Sequence, residues 1–327
     1  MAKIGRRDGD AIFVDSMAGD NDDQRVLRAL EVANTVAPPG SGRNATLVFA
    51  ERRYDFNDPI DFGGRCVTSV GNGKRSTQFR FRNALAGQSL VTLKNSFGQT
   101  IENIWVTANL AEGLIAFDVQ SVSSFKMRDC NFRLQGLNTI GLKVSTNGTQ
   151  NTESASFTEF GGFAAMPLVH NSGDNCTYWD FDLSCGGDPN NPELPGTTGD
   201  NVWAGIQGKY ELAHITFKGS IQRGHHAVHF DAEFVTGVRS PGQGARFVDI
   251  RYEQGVIDPA KPEAWRLIFN RTDSNGETVG HGQERIMLVN CRHSLREVST
   301  NVFGVLGYET YGSFLHGDIV AGSQAPD

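Results

Sequence analysis

IENIWV at Ile101–Val106, MRDCNF at Met127–Phe132 and YWDFDL at Tyr178–Leu183 are copies of one six-residue phrase: an apolar anchor, two residues, a second anchor, a spacer, a third anchor. Five more copies follow the same outline: Phe157/Phe160/Gly162, Leu212/Ile215/Phe217, Phe247/Ile250/Tyr252, Leu288/Cys291/His293 and Phe314/Gly317/Ile319. Between successive middle anchors, from Ile104 to Gly317, the intervals are 26, 30, 21, 34, 35, 41 and 26 residues. A constant kernel with elastic connections suits a parallel β-helix, in which each coil stacks its strands on the coil below while the loops between strands vary freely.

Composition agrees. A 327-residue chain has room for two compact domains, but a solenoid grows along one axis, so one elongated domain is the simpler expectation. With 38 glycines, 21 phenylalanines and 20% charged residues, the chain resembles a turn-rich all-β protein more than a helical one. A net charge of −7 gives no basic face for a phosphate backbone, so nucleic acid is not an expected partner. The first residues hold no apolar stretch of the length a secretory signal needs, and no later segment approaches a membrane span; synthesis and folding in a cytoplasm are expected. Among the five cysteines, Cys130 and Cys291 fall on second anchors and are expected to be small core residues. Cys176 and Cys185 are spaced so that pairing stays open, but no second pair exists to complete a zinc site. Neither metal nor cofactor is expected.

Upstream of the repeat, Asp20–Asp23 precede RVLRALEVANTV, where Val26, Leu27, Leu30, Val32 and Val36 recur at near-helical spacing; an acidic start suits the helix dipole. PPGSG then breaks the chain, and ATLVFAERRYDFNDPIDFGG reads as two short strands. The run GDNDDQRVLRALEVANTV, then ATLVFAERRYDF, then PIDFGGRCVTSVGNGKRSTQFRF resembles the opening of pectin-lyase-like right-handed β-helix proteins, most closely the phage tailspike type, across residues 18 to 82. The resemblance implies an all-β, right-handed, single-stranded parallel β-helix with an N-terminal capping α-helix that covers the exposed end of the solenoid. Residues 1–19 are then an attachment segment and 20–327 the β-helix, with lateral insertions at about 184–202, 218–246 and 253–285. Loops of that size on a solenoid are the expected functional surface.

Within the phrase, the residue before the middle anchor is Asn103, Asp129, Glu159, Asp180, His214, Asp249, Asn290 or His316. Asn and Asp tolerate a left-handed backbone, so this column is expected to form a tight bend. The residue after the anchor, Trp105, Asn131, Gly161, Asp182, Thr216, Arg251, Arg292 or Asp318, is expected to point outward and can floor a groove.

Candidate chemistry is sparse. In GHHAVHFDAEF, strand geometry puts His229, Asp231 and Glu233 on one face, and two carboxylates beside an imidazole can act as general acid and base in sugar-bond cleavage. Asp182 is the outward carboxylate of YWDFDL. The catalytic candidates are therefore Asp182, Asp231, Glu233 and His229, with Trp203, Trp265, Trp105 and Arg251 as substrate-binding candidates, since indole faces stack on sugar rings. GHG at Gly280–Gly282 lacks the acidic partners a polygalacturonase needs. The resemblance implies a tailspike-like virion protein that binds, and as a glycoside hydrolase or polysaccharide lyase depolymerises, a bacterial surface polysaccharide. Its implied partners are that polysaccharide, other virion tail proteins and two further copies of itself in a homotrimer. A catalytically inert receptor-binding or structural virion component, and a bacterial polysaccharide lyase or hydrolase, remain the alternatives.

Overall fold

A computed structural model describes residues 7–8, 11–38, 44–63, 67–72, 76–146, 152–171, 175–186, 204–210, 215–222, 226–232, 244–248, 251–253, 267–270, 285–289, 292–293 and 308–311; beyond Gln222 it describes strand backbone only. The short strands stack by parallel pairing into three faces, here the first, second and third sheets. The first two are joined into one continuous sheet by strands such as Thr177–Cys185 that belong to both, and the third is separate, which makes the chain a parallel β-helix. The first sheet runs through Ala11–Phe13, Ala45–Val48, Val67–Val70, Thr100–Glu102, Lys126–Arg128, Ser156–Thr158 and the first part of Thr177–Cys185, and on to Tyr308–Tyr311. Arg53–Phe56, Gln78–Phe81, Trp105–Ala108, Asn131–Arg133, Gly161–Ala164 and the second part of Thr177–Cys185 build the second, which continues to Arg292–His293. Ile60–Asp61, Ser89–Phe97, Ile115–Ser123, Ile140–Ser145, Met166–His170, Ala204–Tyr210, His226–Ala232 and Leu267–Asn270 form the third.

The anchors fill the space between the sheets. Ile101, Ile104, Val106, Met127, Cys130, Phe132, Phe157, Phe160, Tyr178, Phe181 and Leu183 are all buried. Rings stack from coil to coil: Phe157 lies 4.6 Å from Tyr178 at 6°, and Tyr178 lies 4.8 Å from Phe217 at 9°. Between the first two sheets the chain turns through a left-handed residue at Asn103, Asp129, Glu159 and Asp180, with φ from 52° to 59°. The amides of Gly71, Asn103, Asp129 and Glu159 each donate to a carbonyl of the next coil, so the bend extends the ladder instead of interrupting it. His214, Asp249, Asn290 and His316 lie outside the described residues.

Register corrects two copies of the phrase. Thr216 pairs with Thr177, Phe217 with Tyr178 and Ser220 with Asp182, the register slipping between Trp179 and Phe181. The fifth copy is thus Phe217/Gly219/Ile221, with no bend residue, and Ser220 rather than Thr216 occupies the outward position. Its middle anchor escapes notice because it is a glycine: a Cβ there would stand 2.5 Å from the Phe181 ring. In the last coil Thr310 pairs with Leu288, so the eighth copy begins at Thr310 and not at Phe314; Phe314, Gly317, Ile319 and Asp318 lie outside the described residues.

Other boundaries shift for a related reason. The phrase spans only two sheets, so strands of the third fall inside stretches assigned to lateral loops: His226–Ala232 within 218–246 and Leu267–Asn270 within 253–285. Ala11–Phe13, inside the proposed attachment segment, pairs parallel with Ala45–Val48 and belongs to the first sheet. The helix Asp22–Val36 (α1) starts at Asn21, whose side chain accepts from the Gln24 amide at 2.9 Å, while Gln24 Oε1 accepts from the Asp20 amide at 2.8 Å. Val26, Ala29, Leu30 and Ala33 are buried against Ala11–Phe13, Ala45–Val48 and Arg53–Phe56, whereas Leu27 is 61% exposed.

Candidate functional site

On the outer face of the second sheet the outward column runs Gln78, Trp105, Asn131, Gly161, Asp182, Ser220, and the backbone of Arg251 and Arg292 follows in register. A second outward column, two residues on, runs Arg80, Thr107, Arg133, Phe163, Ser184, Gln222, with the backbone of Glu253 next in register. Between them opens a groove of about 570 Å³ walled by Trp105, Asn131, Arg133, Gln135, Phe163, Asp180, Asp182, Ser184 and Gln222. The alternation of the strands makes this possible, since Phe132, Leu183 and Ile221 on the same strands face the core.

The strand that crosses the groove begins with two glycines that its neighbours approach closely. Gly161 sits between Asn131 and Asp182, and a Cβ there would stand 2.2 Å from the Asp182 carbonyl. Its neighbour Gly162, at φ 140°, takes a backbone conformation that side chains oppose, and a Cβ would meet the Phe132 carbonyl at 1.9 Å. Two glycines in a row leave the start of this strand without side chains, with the partly exposed ring of Phe163 next on the same strand and that of Trp105 two coils away, beyond Asn131.

Asp182 is exposed and accepts a hydrogen bond from Ser220 Oγ at 2.9 Å, which orients its carboxylate along the column. Asp180, exposed at the bend, reaches the same groove. Asn131 Nδ2 is buried without a hydrogen-bond partner, a donor held at the groove wall. Arg133 is exposed on the opposite column.

Asp182 and Trp105 are therefore brought together, and Arg251 lies on the same column two strands beyond Asp182. His229 and Asp231 are not: their strand, His226–Ala232, belongs to the third sheet, where Val228 shares the register of the buried Ile206. Glu233, Trp203 and Trp265 lie outside the described residues. Arg133, Phe163, Ser184 and Gln222 stand one step beyond the third anchor, where the six-residue phrase has ended and its pattern carries no sign of them. Asp180 was assigned to the bend alone, although a residue can hold a bend and still present its carboxylate. Cys176 and Cys185 form no disulfide; both are buried, and burial pushes the Cys185 thiol well up. Among the described residues no cluster of histidine, cysteine and carboxylate side chains could hold a metal ion.

No family model and no curated protein matches the sequence. Solved structures do match. Open reading frame 18 of Geobacillus virus E2 aligns at TM-score 0.53 and 11% identity over 94% of this chain, which spans 60% of that longer protein. Pectin methylesterase from carrot aligns at TM-score 0.54 and 11% identity, over 86% of this chain and 83% of the enzyme. Alginate lyase from Paenibacillus sp. str. FPU-7 aligns at 0.51 and 12%, over 86% and 96%. At such identities the matches establish the fold: this chain has the pectin-lyase-like parallel β-helix fold.

Proposed function

We propose that the groove on the second sheet binds a polysaccharide of a bacterial surface, and that the chain does so as a tailspike-like component of a virus tail. The observation that carries this is the groove itself: two aromatic faces, a glycine-cleared floor and a rim of amide, hydroxyl, carboxylate and guanidinium groups, the combination that stacks on sugar rings while pairing their hydroxyls. Two of the matched proteins are named for pectin and alginate, and a third is viral, which supports the same assignment. In this proposal the helix is right-handed, α1 covers its first coil, and three copies assemble beside other tail proteins.

Cleavage, where it occurs, falls to Asp182. Held by Ser220, it can activate water or stabilise a developing oxocarbenium ion, and Asp180 lines the same groove. A non-catalytic receptor-binding role has its own support, because Asp180 shares its bend conformation with Asn103, Asp129 and Glu159 and needs no chemistry to account for it.

One set of measurements separates these. Against purified capsules and lipopolysaccharides, Trp105→Ala is expected to weaken binding roughly tenfold, the size of one lost ring-stacking contact of about 1.4 kcal/mol. Asp182→Asn is expected to keep binding and abolish release of reducing ends. Unchanged binding by Trp105→Ala removes the groove from the proposal; binding without cleavage by the natural chain selects the inert role. Light scattering on the same preparation reports whether the mass is that of a trimer.

A further inference from the structure

The arginines of this surface divide unevenly. Arg25, Arg28, Arg52, Arg53, Arg80, Arg82 and Arg128 each lie within 3.5 Å of a carboxylate oxygen. Arg133 alone, among the arginines whose side chains are described, has neither an ion pair nor a hydrogen bond, and it is the one that lines the groove. Its neighbours in register are Thr107 and Phe163, one a hydroxyl already accepting from Gln78 Nε2 at 3.0 Å and the other an aromatic ring. A guanidinium offers five donors in a fork that matches a carboxylate. It forms no ion pair with Asp180 or Asp182, the groove's own carboxylates. Arg133 is in register with Ser184 two strands away, on the rung that holds Asp182, a separation of about 10 Å at the spacing of stacked strands.

The groove is therefore charged in opposite senses at two places along the helix axis. At the Arg133 rung an anion is welcomed. At the rung of Asp182, with Asp180 beside it, an anion meets two exposed carboxylates. A chain lying along the axis places successive sugars on successive rungs. A polymer with a carboxylate on every sugar satisfies Arg133 only by driving other carboxylates against Asp180 and Asp182.

We propose that Arg133 is the specificity-determining residue of the groove and that the ligand is an acidic heteropolysaccharide, in which sugar acids are separated by uncharged sugars, and not a homopolymer of sugar acids. This rests on the polysaccharide-binding role of the groove and deepens it.

The test uses the full chain and purified bacterial polysaccharides sorted into three groups: neutral, mixed acidic repeats, and homopolymers of sugar acid such as polygalacturonate. Binding is expected in the mixed acidic group. There Arg133→Ala should lose about tenfold or more in affinity, Arg133→Lys should recover part of it, and raised salt should weaken the natural chain more than the Ala variant. Asp182→Asn together with Asp180→Asn should admit the homopolymers. The inference is overturned if neutral polymers bind as well as acidic ones, if Arg133→Ala binds unchanged, or if homopolymers bind the natural chain best. In each of those cases a loss in Trp105→Ala still upholds the groove. If no polysaccharide binds, or if Trp105→Ala has no effect, the underlying role fails with it. Circular dichroism of each variant checks the fold; Arg133 is exposed and unpaired, so its replacement is expected to leave stability unchanged.

Discussion

His170 is fully buried, its Nδ1 2.7 Å from the Tyr178 hydroxyl, and burial holds its imidazole down to about 4. In the unfolded chain the same ring takes up a proton near 6.5, so the unfolded state binds more protons between those values. Stability from this residue is full above about pH 6.5, falls as pH drops towards 4, and is constant below; the loss amounts to about 3 kcal/mol. Urea midpoints at pH 7 and pH 4.5 should therefore differ more for the natural chain than for His170→Gln, in which that proton uptake is gone. An equal acid shift in both would show that burial of His170 is not the cause. In the sequence this histidine stood in MPLVH with no sign of being interior; only the register of the third sheet, which sets it one coil beyond Val144, reveals it.

At the scale of elements, α1 is fastened to the first coils by a polar clamp. Asp22 accepts from Arg52 Nη2 at 2.7 Å and from the Asp55 amide at 2.8 Å; Arg52 Nε reaches Asp15 at 2.6 Å, and its guanidinium lies 3.7 Å over the Tyr54 ring. The Tyr54 hydroxyl donates to Asp15. Burial works to raise Asp15, but hydrogen bonds from Tyr54 and Arg52 and the charge of Arg52 outweigh it and hold the carboxyl below its usual value. Asp55 is likewise lowered, burial being outweighed by Arg80 and Arg82. Both contribute stability that is present above about pH 4 and lost as pH falls through their depressed values. Replacing Arg52 by Ala should cost about 1–3 kcal/mol, a partly exposed network being worth less than a buried one, and should flatten the acid limb of the melting curve below pH 4. A variant that melts with the natural chain at pH 7 and pH 3 would exclude the clamp. The acidic start of the helix was legible in GDNDD, but its use was not: dipole and cap account for Asn21, whereas Asp22 and Asp23 turn outwards to the Arg53–Phe56 region, Asp23 receiving the Asn57 amide at 3.1 Å.

Across the whole molecule, stability is carried from coil to coil, because each coil touches only its neighbours. Phe157, Tyr178 and Phe217 occupy one position in three successive coils and stack face to face, with Phe125 and Phe160 alongside. Cutting Phe157 to Ala should cost about 3–5 kcal/mol by opening a cavity that two flanking coils cannot both fill. Chemical denaturation would register it; a change under 1 kcal/mol would mean the stack is not a continuous core. The groove is a property of this same scale, since its lining comes from five successive strands of the second sheet and no single segment contains it.

The anchors and bends of the coil were determined by the sequence alone, because a strand shows its buried face every second residue and a left-handed bend selects Asn, Asp and Gly. From that follow the parallel β-helix, the outward column and the placement of Trp105 and Asp182. Only the tertiary structure decided which columns stand side by side. Register depends on packing between coils, so a glycine at the anchor of Phe217–Ile221 hid a coil whose pairing with Phe181 is unambiguous in space. The same dependence separated His229 and Asp231 from Asp182, and set Arg133 and Phe163 across from Trp105. Sequence distance along a solenoid measures the length of the loops, whereas chemistry depends on which rungs are neighbours.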